Sequence, residues 1–307
     1  MTGVKMTEIN DTQLFRSSLY TGGTSPKRMI QAAFFPEDCI VYDLEDSVSE
    51  GEKDAARFLV ACLLRDQRPC NKHVVVRVNG LYSNYFAEDL EAIVRAKPDA
   101  IRIPKVEYAE EVRRVDHIIS EIEHKAGIPE GSVKIWCNIE SYEGVLNAGE
   151  IAKASSRIEA LALGAEDFTQ SMHGKRTKDG WEIFYARNAV LMACREAGVS
   201  AQDAVFSDFN DTEGLKKDLE MASSLGFDGK TTIHPVQIKI VNRYFTPSEK
   251  EIRKAQQIIS CLQKAEENHS GVCSLNGEMI DLPVKKRALQ ILARAKASGA
   301  LREEGEK

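Results

Sequence analysis

Stretches of strand length, several of them apolar, recur along this chain, each followed by a stretch with helical spacing; those at 133–139 and 159–165 run abruptly into acidic side chains. The strand-length runs fall at residues 15–23, 39–46, 73–80, 100–106, 133–139, 159–165, 204–208 and 227–235. A run apolar on both faces must be covered on both faces, which is what parallel βα units provide. Eight such strands alternating with eight helical segments predict an α/β fold of the closed (β/α)8 TIM barrel type. A doubly wound open sheet is the competing architecture. It usually carries Gly-x-Gly-x-x-Gly after its first strand, and Gly22-Gly23 lacks that spacing.

The 307 residues could make two average domains, but about 250 suffice for one barrel. The barrel is therefore read as residues 14–245 and a C-terminal helical and hairpin lid extension as 246–307. Within the extension, Asn276-Gly277 between two short apolar runs signals a hairpin, and a last helix is expected from about Pro283. Residues 1–13 and 302–307 read as frayed tails.

Barrel active sites form where the strands' C-terminal ends converge. The polar residues gathered there are Asp43, Glu45, Asp46, Arg77, Asn79, Lys105, Glu140, Glu166, Asp167, Asp208, Lys230 and His234. A carboxylate at the end of a buried strand needs a cation or a proton. Oxygen donors without a histidine cluster favour Mg²⁺ over Zn²⁺. Glu140 and Asp167, ending the fifth and sixth runs, are the candidate metal ligands. An ion pair of either with Arg77 or Lys105 fits the spacing equally well. Lys105 is also the candidate nucleophile of a Schiff-base aldolase, and Asp281 before Leu282-Pro283 reads most simply as a helix cap.

The net charge of −6 gives no electrostatic reason for a nucleic-acid or anionic-membrane partner. No apolar run approaches the roughly 20 residues of a membrane span. The polar N-terminus has no signal-peptide core, so the expected location is cytoplasmic. Seven cysteines, an odd number without a Cys-x-x-Cys pair, are expected as reduced thiols.

Eight short motifs then fall in one register: Asp43-Leu-Glu-Asp-Ser-Val48, Arg77-Val-Asn79, Pro104-Lys105, Ile139-Glu140-Ser141, Gly164-Ala-Glu-Asp167, Gly226-Phe-Asp-Gly-Lys230, Ile233-His-Pro235 and Gly277-Glu-Met-Ile-Asp281-x-Pro283. In this order they resemble the citrate lyase β-subunit family, from Arg16 to about Glu304. The resemblance implies a Mg²⁺-dependent lyase that splits a citryl thioester, carried on CoA or an acyl-carrier protein, into oxaloacetate and an acetyl thioester. It implies α and γ (acyl-carrier) subunits as partners and a homo-oligomer, a homotrimer. Relatives cleaving citramalyl-CoA or malyl-CoA, some acting as thioesterases, are the alternative, and a non-catalytic assembly subunit is a third reading.

By the same resemblance, Glu140 and Asp167 hold Mg²⁺, Arg77 meets the thioester oxygen, and Asp281 supplies the enolate's proton. Asp43, Glu45 and Asp46 serve as supporting or relay acids. Arg16, Lys27 and Arg28 face the phosphates of a CoA-like arm. The chain departs from the family pattern in its first loop, Tyr20-Thr-Gly-Gly-Thr-Ser, and at His234, where Asn is common.

Overall fold

The computed structural model describes residues 13–267, 270–275 and 277–301. Contacts divide it into two compact units, one spanning Phe15–Asn242 and the other beginning at Arg243. Of the expected tails, residues 1–12 and 302–307, together with Asn276 of the expected turn, lie outside the described residues.

The first unit is a closed parallel barrel of eight strands in sequence order. Its strands are β1 (Ser17–Gly22), β2 (Cys39–Asp43), β3 (His73–Arg77), β4 (Ala100–Ile103), β5 (Lys134–Ile139), β6 (Ile158–Leu163), β7 (Ser200–Asp203) and β8 (Gly229–Thr232). The helices between them are α1 (Pro26–Ala32), α2 (Lys53–Asp66), α3 (Phe86–Arg95), α4 (Ala109–Ala126), α5 (Tyr142–Leu146), α6 (Ala148–Ala152), α7 (Ala165–Ser171), α8 (Phe184–Ala197) and α9 (Thr212–Leu225). Then come α10 (Pro235–Phe245), α11 (Glu249–Glu267), the strands β9 (Cys273–Leu275) and β10 (Glu278–Ile280), and α12 (Leu282–Ala297).

Strand alternation sorts the barrel interior into layers. Cys39, Val41, Val75, Ala100, Trp136 and Ala160 form one buried apolar cluster with Phe15. Two residues further along the same faces stand Asp43, Arg77, Arg102 and Asn138, with Glu140 just beyond β5. Period-two spacing thus turns an apolar floor into a polar mouth at the C-terminal ends.

The barrel closes where β8 pairs with β1, Ser18 opposite Thr231. A Cβ on Gly229 would fall on the Phe15 carbonyl oxygen, so only glycine lets the two backbones meet there. Gly229→Ala is expected to lower unfolding free energy by about 3 kcal/mol, the cost of forcing atoms into a packed contact. A denaturant titration checks it, and an unchanged midpoint would remove this steric argument.

Several elements differ from the sequence reading. The seventh strand is Ser200–Asp203, four residues before the apolar run at 204–208. Apart from Ala201, its side chains are polar but satisfied. Gln202 Nε2 donates to the Phe15 carbonyl at 3.0 Å inside the barrel, while Asp203 turns outward to Arg187 at 2.9 Å and Lys230 at 2.7 Å. Lys230, expected at the mouth, is therefore buried behind the sheet, where Asp203 and Asp218 flank its ammonium. The stretch after β6, expected as an irregular loop from Phe168, begins as α7. Helix α10, which the sequence reading passes over, follows β8 directly.

In the second unit, Ala255, Ile258, Ile259 and Leu262 of α11 pack with Ile280 and Ala288. β9 and β10 pair antiparallel, with Gly277 at φ +84° in the turn. Cys261 is disulfide-bonded to Cys273, which corrects the expectation that all seven cysteines are thiols. The bond joins a helix to a hairpin strand 12 residues away in sequence, a proximity no Cys-x-x-Cys spacing announces. The other five cysteines are free. No described helix is long and apolar enough to cross a membrane.

Candidate active site

The polar layer opens into a pocket of about 380 Å³, lined among others by Tyr20, Asp43, Arg77, Arg102, Asn138, Glu140, Asp167 and Thr231. Glu140 is only 4% exposed. Its Oε1 accepts from Asn138 Nδ2 at 2.5 Å and its Oε2 from the Lys105 backbone N–H at 3.2 Å. Lys105 has a left-handed φ of 54°, a conformation uncommon outside glycine. Across from it, a Cβ on Gly164 would overlap the Glu140 side chain. Glycine at 164 thus leaves the room that the carboxylate fills.

Burial pushes the Glu140 carboxyl up to about 7, the nearby Glu45 and Asp167 add to the rise, and Arg77 opposes it. An acid so placed takes a proton or a cation. Among the described residues, neither Glu140 nor Asp167 has a cationic side chain within ion-pair distance. The ion-pair reading of these two acids is therefore not realised. Two carboxylates lining one pocket suit Mg²⁺, which keeps waters and takes substrate oxygens as its other ligands. Among the described residues, no group of three or more His, Cys, Asp and Glu could hold a metal, the arrangement a protein-enclosed zinc site requires.

The cations have other partners. Arg77 forks onto Asp43, Nε to Oδ1 at 2.6 Å and Nη2 to Oδ2 at 2.8 Å, and its Nη1 lies 2.8 Å from Glu45 Oε2 and 3.3 Å from Asp46. Burial raises the Asp43 carboxyl, but Arg77 outweighs it and holds the group below its usual range. Glu45 is raised, with burial the largest cause. Lys105 Nζ reaches Glu45 Oε1 at 3.1 Å. Burial pulls that ammonium down, Glu45 more than compensates, and the net shift is upward. A Schiff-base nucleophile needs the opposite.

The remaining sequence candidates are dispersed. Arg16 pairs through two nitrogens with Asp38 at the starts of β1 and β2, the end of the barrel opposite Glu140. Lys27 and Arg28 are exposed on the first turn of α1, after the C-terminal end of β1. Asp281 caps α12 in the second unit, its Oδ1 accepting from the Val284 N–H at 3.2 Å. Asn79 bonds Asp89, and His234 is exposed, its ring stacked on Phe209. Glu166 is exposed and bonds Arg176 and Ser207. Asp208 lies on the surface 3.8 Å from Lys178.

Arg102, Asn138 and Thr231 line the pocket without having been singled out by sequence. The signal was present. Arg102 lies in the run Ala100-Ile-Arg-Ile, in step with inward-facing Ala100, and Asn138 lies in step with Trp136 and Glu140.

The family model described as HpcH/HpaI aldolase/citrate lyase matches residues 16–235. The citrate lyase subunit beta of Leuconostoc mesenteroides subsp. cremoris is 42% identical over 297 residues, 97% of this chain and 98% of that protein. A (3S)-malyl-CoA thioesterase of Cereibacter sphaeroides is 34% identical over 288 residues, covering 94% and 97%. Among solved structures, the CitE protein of Mycobacterium tuberculosis in complex with magnesium, acetoacetate and coenzyme A aligns with a TM-score of 0.75 at 30% identity, covering 92% of this chain and 98% of that one.

Proposed function

This chain belongs to the HpcH/HpaI aldolase/citrate lyase family as an oxo-acid lyase of the citrate lyase β type, and from that premise we propose that it cleaves a citryl thioester to oxaloacetate and an acetyl thioester with Mg²⁺. The observation that carries the reading is Glu140, a buried acid without a cationic partner among the described residues, lining one pocket with Asp167 and Arg77.

Glu140 and Asp167 would hold the metal. Once bound, Mg²⁺ supplies acidity to the substrate's 2-hydroxyl and polarises the keto acid as it forms. Arg77, aligned by its fork to Asp43, is assigned to the thioester oxygen through Nη1, where its outer partner Asp46 is exposed and easily displaced. Glu45, buried between Arg77 and Lys105, is assigned to the hydroxyl proton, its raised pKa bringing it nearer a useful base. Asp281 is assigned as the acid that protonates the enolate carbon. Lys27 and Arg28 are assigned to the phosphates of a CoA-like arm. Arg16 is left out, because Asp38 already occupies it at the other end of the barrel.

The further parts of the reading are a cytoplasmic homotrimer and association with α and acyl-carrier γ subunits. The 34% identity to a malyl-CoA thioesterase favours a second reading on the same site, a free-standing malyl- or citramalyl-CoA lyase or thioesterase. Buried Arg77 and Glu140 speak against a non-catalytic subunit, since a retired site has no use for buried charge.

Cleavage of citryl-, citramalyl- and malyl-CoA, compared with Mg²⁺ and with excess EDTA, is the deciding experiment. Mg²⁺-dependent oxaloacetate release from the citryl thioester is expected, with loss in EDTA of at least about 100-fold. Activity indifferent to EDTA would overturn the metal assignment.

A further inference from the structure

Four arginines are buried in the barrel unit, and three have carboxylate partners. Arg77 pairs with Asp43 and Glu45, Arg157 with Asp116 and Glu123, and Arg187 with Asp203 and Asp218. Arg102 is the exception. It is 2% exposed, and among the described residues no carboxylate lies within ion-pair distance of it. Its Nε donates to Asn138 Oδ1 at 2.5 Å and its Nη2 to Thr231 Oγ1 at a long 3.4 Å. Its Nη1 is buried without a hydrogen-bond partner among the described residues. The guanidinium lies 4.9 Å from the centre of the Tyr20 ring, and Arg77 lies 4.7 Å from the same centre.

A buried cation with neutral partners and an unused donor is costly. Burial accordingly pulls its pKa down. The cost is removed when an anion enters, and Arg102 lines the pocket that holds Glu140, Asp167 and Arg77. In the proposed reaction the 2-hydroxy-carboxylate belongs to the metal and the thioester oxygen to Arg77. A malyl thioester then has only hydrogen left at the hydroxyl-bearing carbon, and a citramalyl thioester a methyl. A citryl thioester has a carboxymethyl arm, a second free carboxylate. Of the cationic side chains lining the pocket, only Arg102 is without an acid.

We infer that Arg102, with Thr231 beside it, is the subsite for this second carboxylate, and so selects a substrate whose keto-acid product is a dicarboxylate. The inference rests on the lyase reading for the substrate's orientation, but its test is a binding measurement that needs no turnover.

Calorimetry with Mg²⁺ would compare oxaloacetate, pyruvate and glyoxylate on the full chain and on Arg102→Met. The native protein should bind oxaloacetate at least about tenfold tighter than pyruvate, and Arg102→Met should weaken oxaloacetate about 100-fold, as expected for truncating one partner of a buried charge pair. Pyruvate and glyoxylate should change less than about threefold, and Arg102→Lys should recover part of the loss. If Arg102→Met does not fold, Thr231→Val, which removes no charge, should weaken oxaloacetate alone by about fivefold.

Equal weakening of all three acids would overturn the subsite, because Arg102 would then act only by holding Asn138 and through it Glu140. No weakening would overturn it too. If the native protein cleaves malyl or citramalyl thioesters in preference to citryl, the lyase reading survives and the subsite falls. Arg102-dependent oxaloacetate binding without cleavage of any thioester would keep the subsite and sink the lyase reading.

Discussion

Replacing Glu140 by Gln is expected to abolish Mg²⁺ binding and to lower thioester cleavage by at least about 1000-fold, beyond the 10–100-fold that follows loss of a ligand's supporting hydrogen bond. The amide fills the same space between Gly164 and Asn138, so the variant should fold, and the loss reports charge. The native carboxyl sits at about 7 against an ordinary 4.5. Its folded-state pKa is raised, so its contribution to stability is fully present below pH 4.5 and is lost as pH rises through 7, about 3 kcal/mol in all.

Melting curves should show this directly. In EDTA, the native protein should lose stability relative to Glu140→Gln between pH 5 and 8. Saturating Mg²⁺ should restore it, with proton release on binding below pH 7. A variant that still binds Mg²⁺, or a native protein whose pH dependence matches the variant's, would remove Glu140 from the metal site.

The barrel was legible because strand and helix periods alternate without interruption and the strands end on polar groups. Glu140 and Asp167 were legible for the same reason: each closes an apolar run. What escaped was polar structure whose partners are distant in sequence. β7 was shifted onto Ala204–Asp208 because Gln202 and Asp203 look wrong for a buried strand. They are right only given Phe15, Arg187 and Lys230, between 16 and 187 residues away.

Arg102 escaped differently. Lys105, three residues on, has the more familiar catalytic side chain, yet it is half exposed and paired with Glu45, while Arg102 is the one buried arginine of the barrel unit without an acid among the described residues. For Asp281 the residues themselves point to a cap, and the family resemblance alone implies the acid. The bond to Val284 realises the first, and a side chain can cap a helix and still exchange a proton.

The network behind β7 yields the second large effect. Asp203 and Asp218 face Arg187 and Lys230 in a buried set of two acids and two cations, linking β7 and β8 to α8 and α9. Burial raises the Asp203 carboxyl, but Lys230 and Arg187 overcome it and bring it to about 2. Asp203→Ala leaves two buried cations sharing one carboxylate, and should lower unfolding free energy by about 3–5 kcal/mol.

Here the sign is opposite to that of Glu140. A depressed pKa gives stability that is present above 3.8 and is lost as pH falls toward 2, so the native protein should show an acid loss in that window that Asp203→Ala lacks. None of the four residues lines the pocket, so folded Asp203→Ala, assayed well below its melting temperature, should keep kcat/KM within about threefold, as for a site without shared partners. Loss of activity without loss of stability would mean that this network reaches the chemistry. Loss of stability alone would mean that Lys230, for all its place in a family motif, is there to hold the eighth strand against its helices.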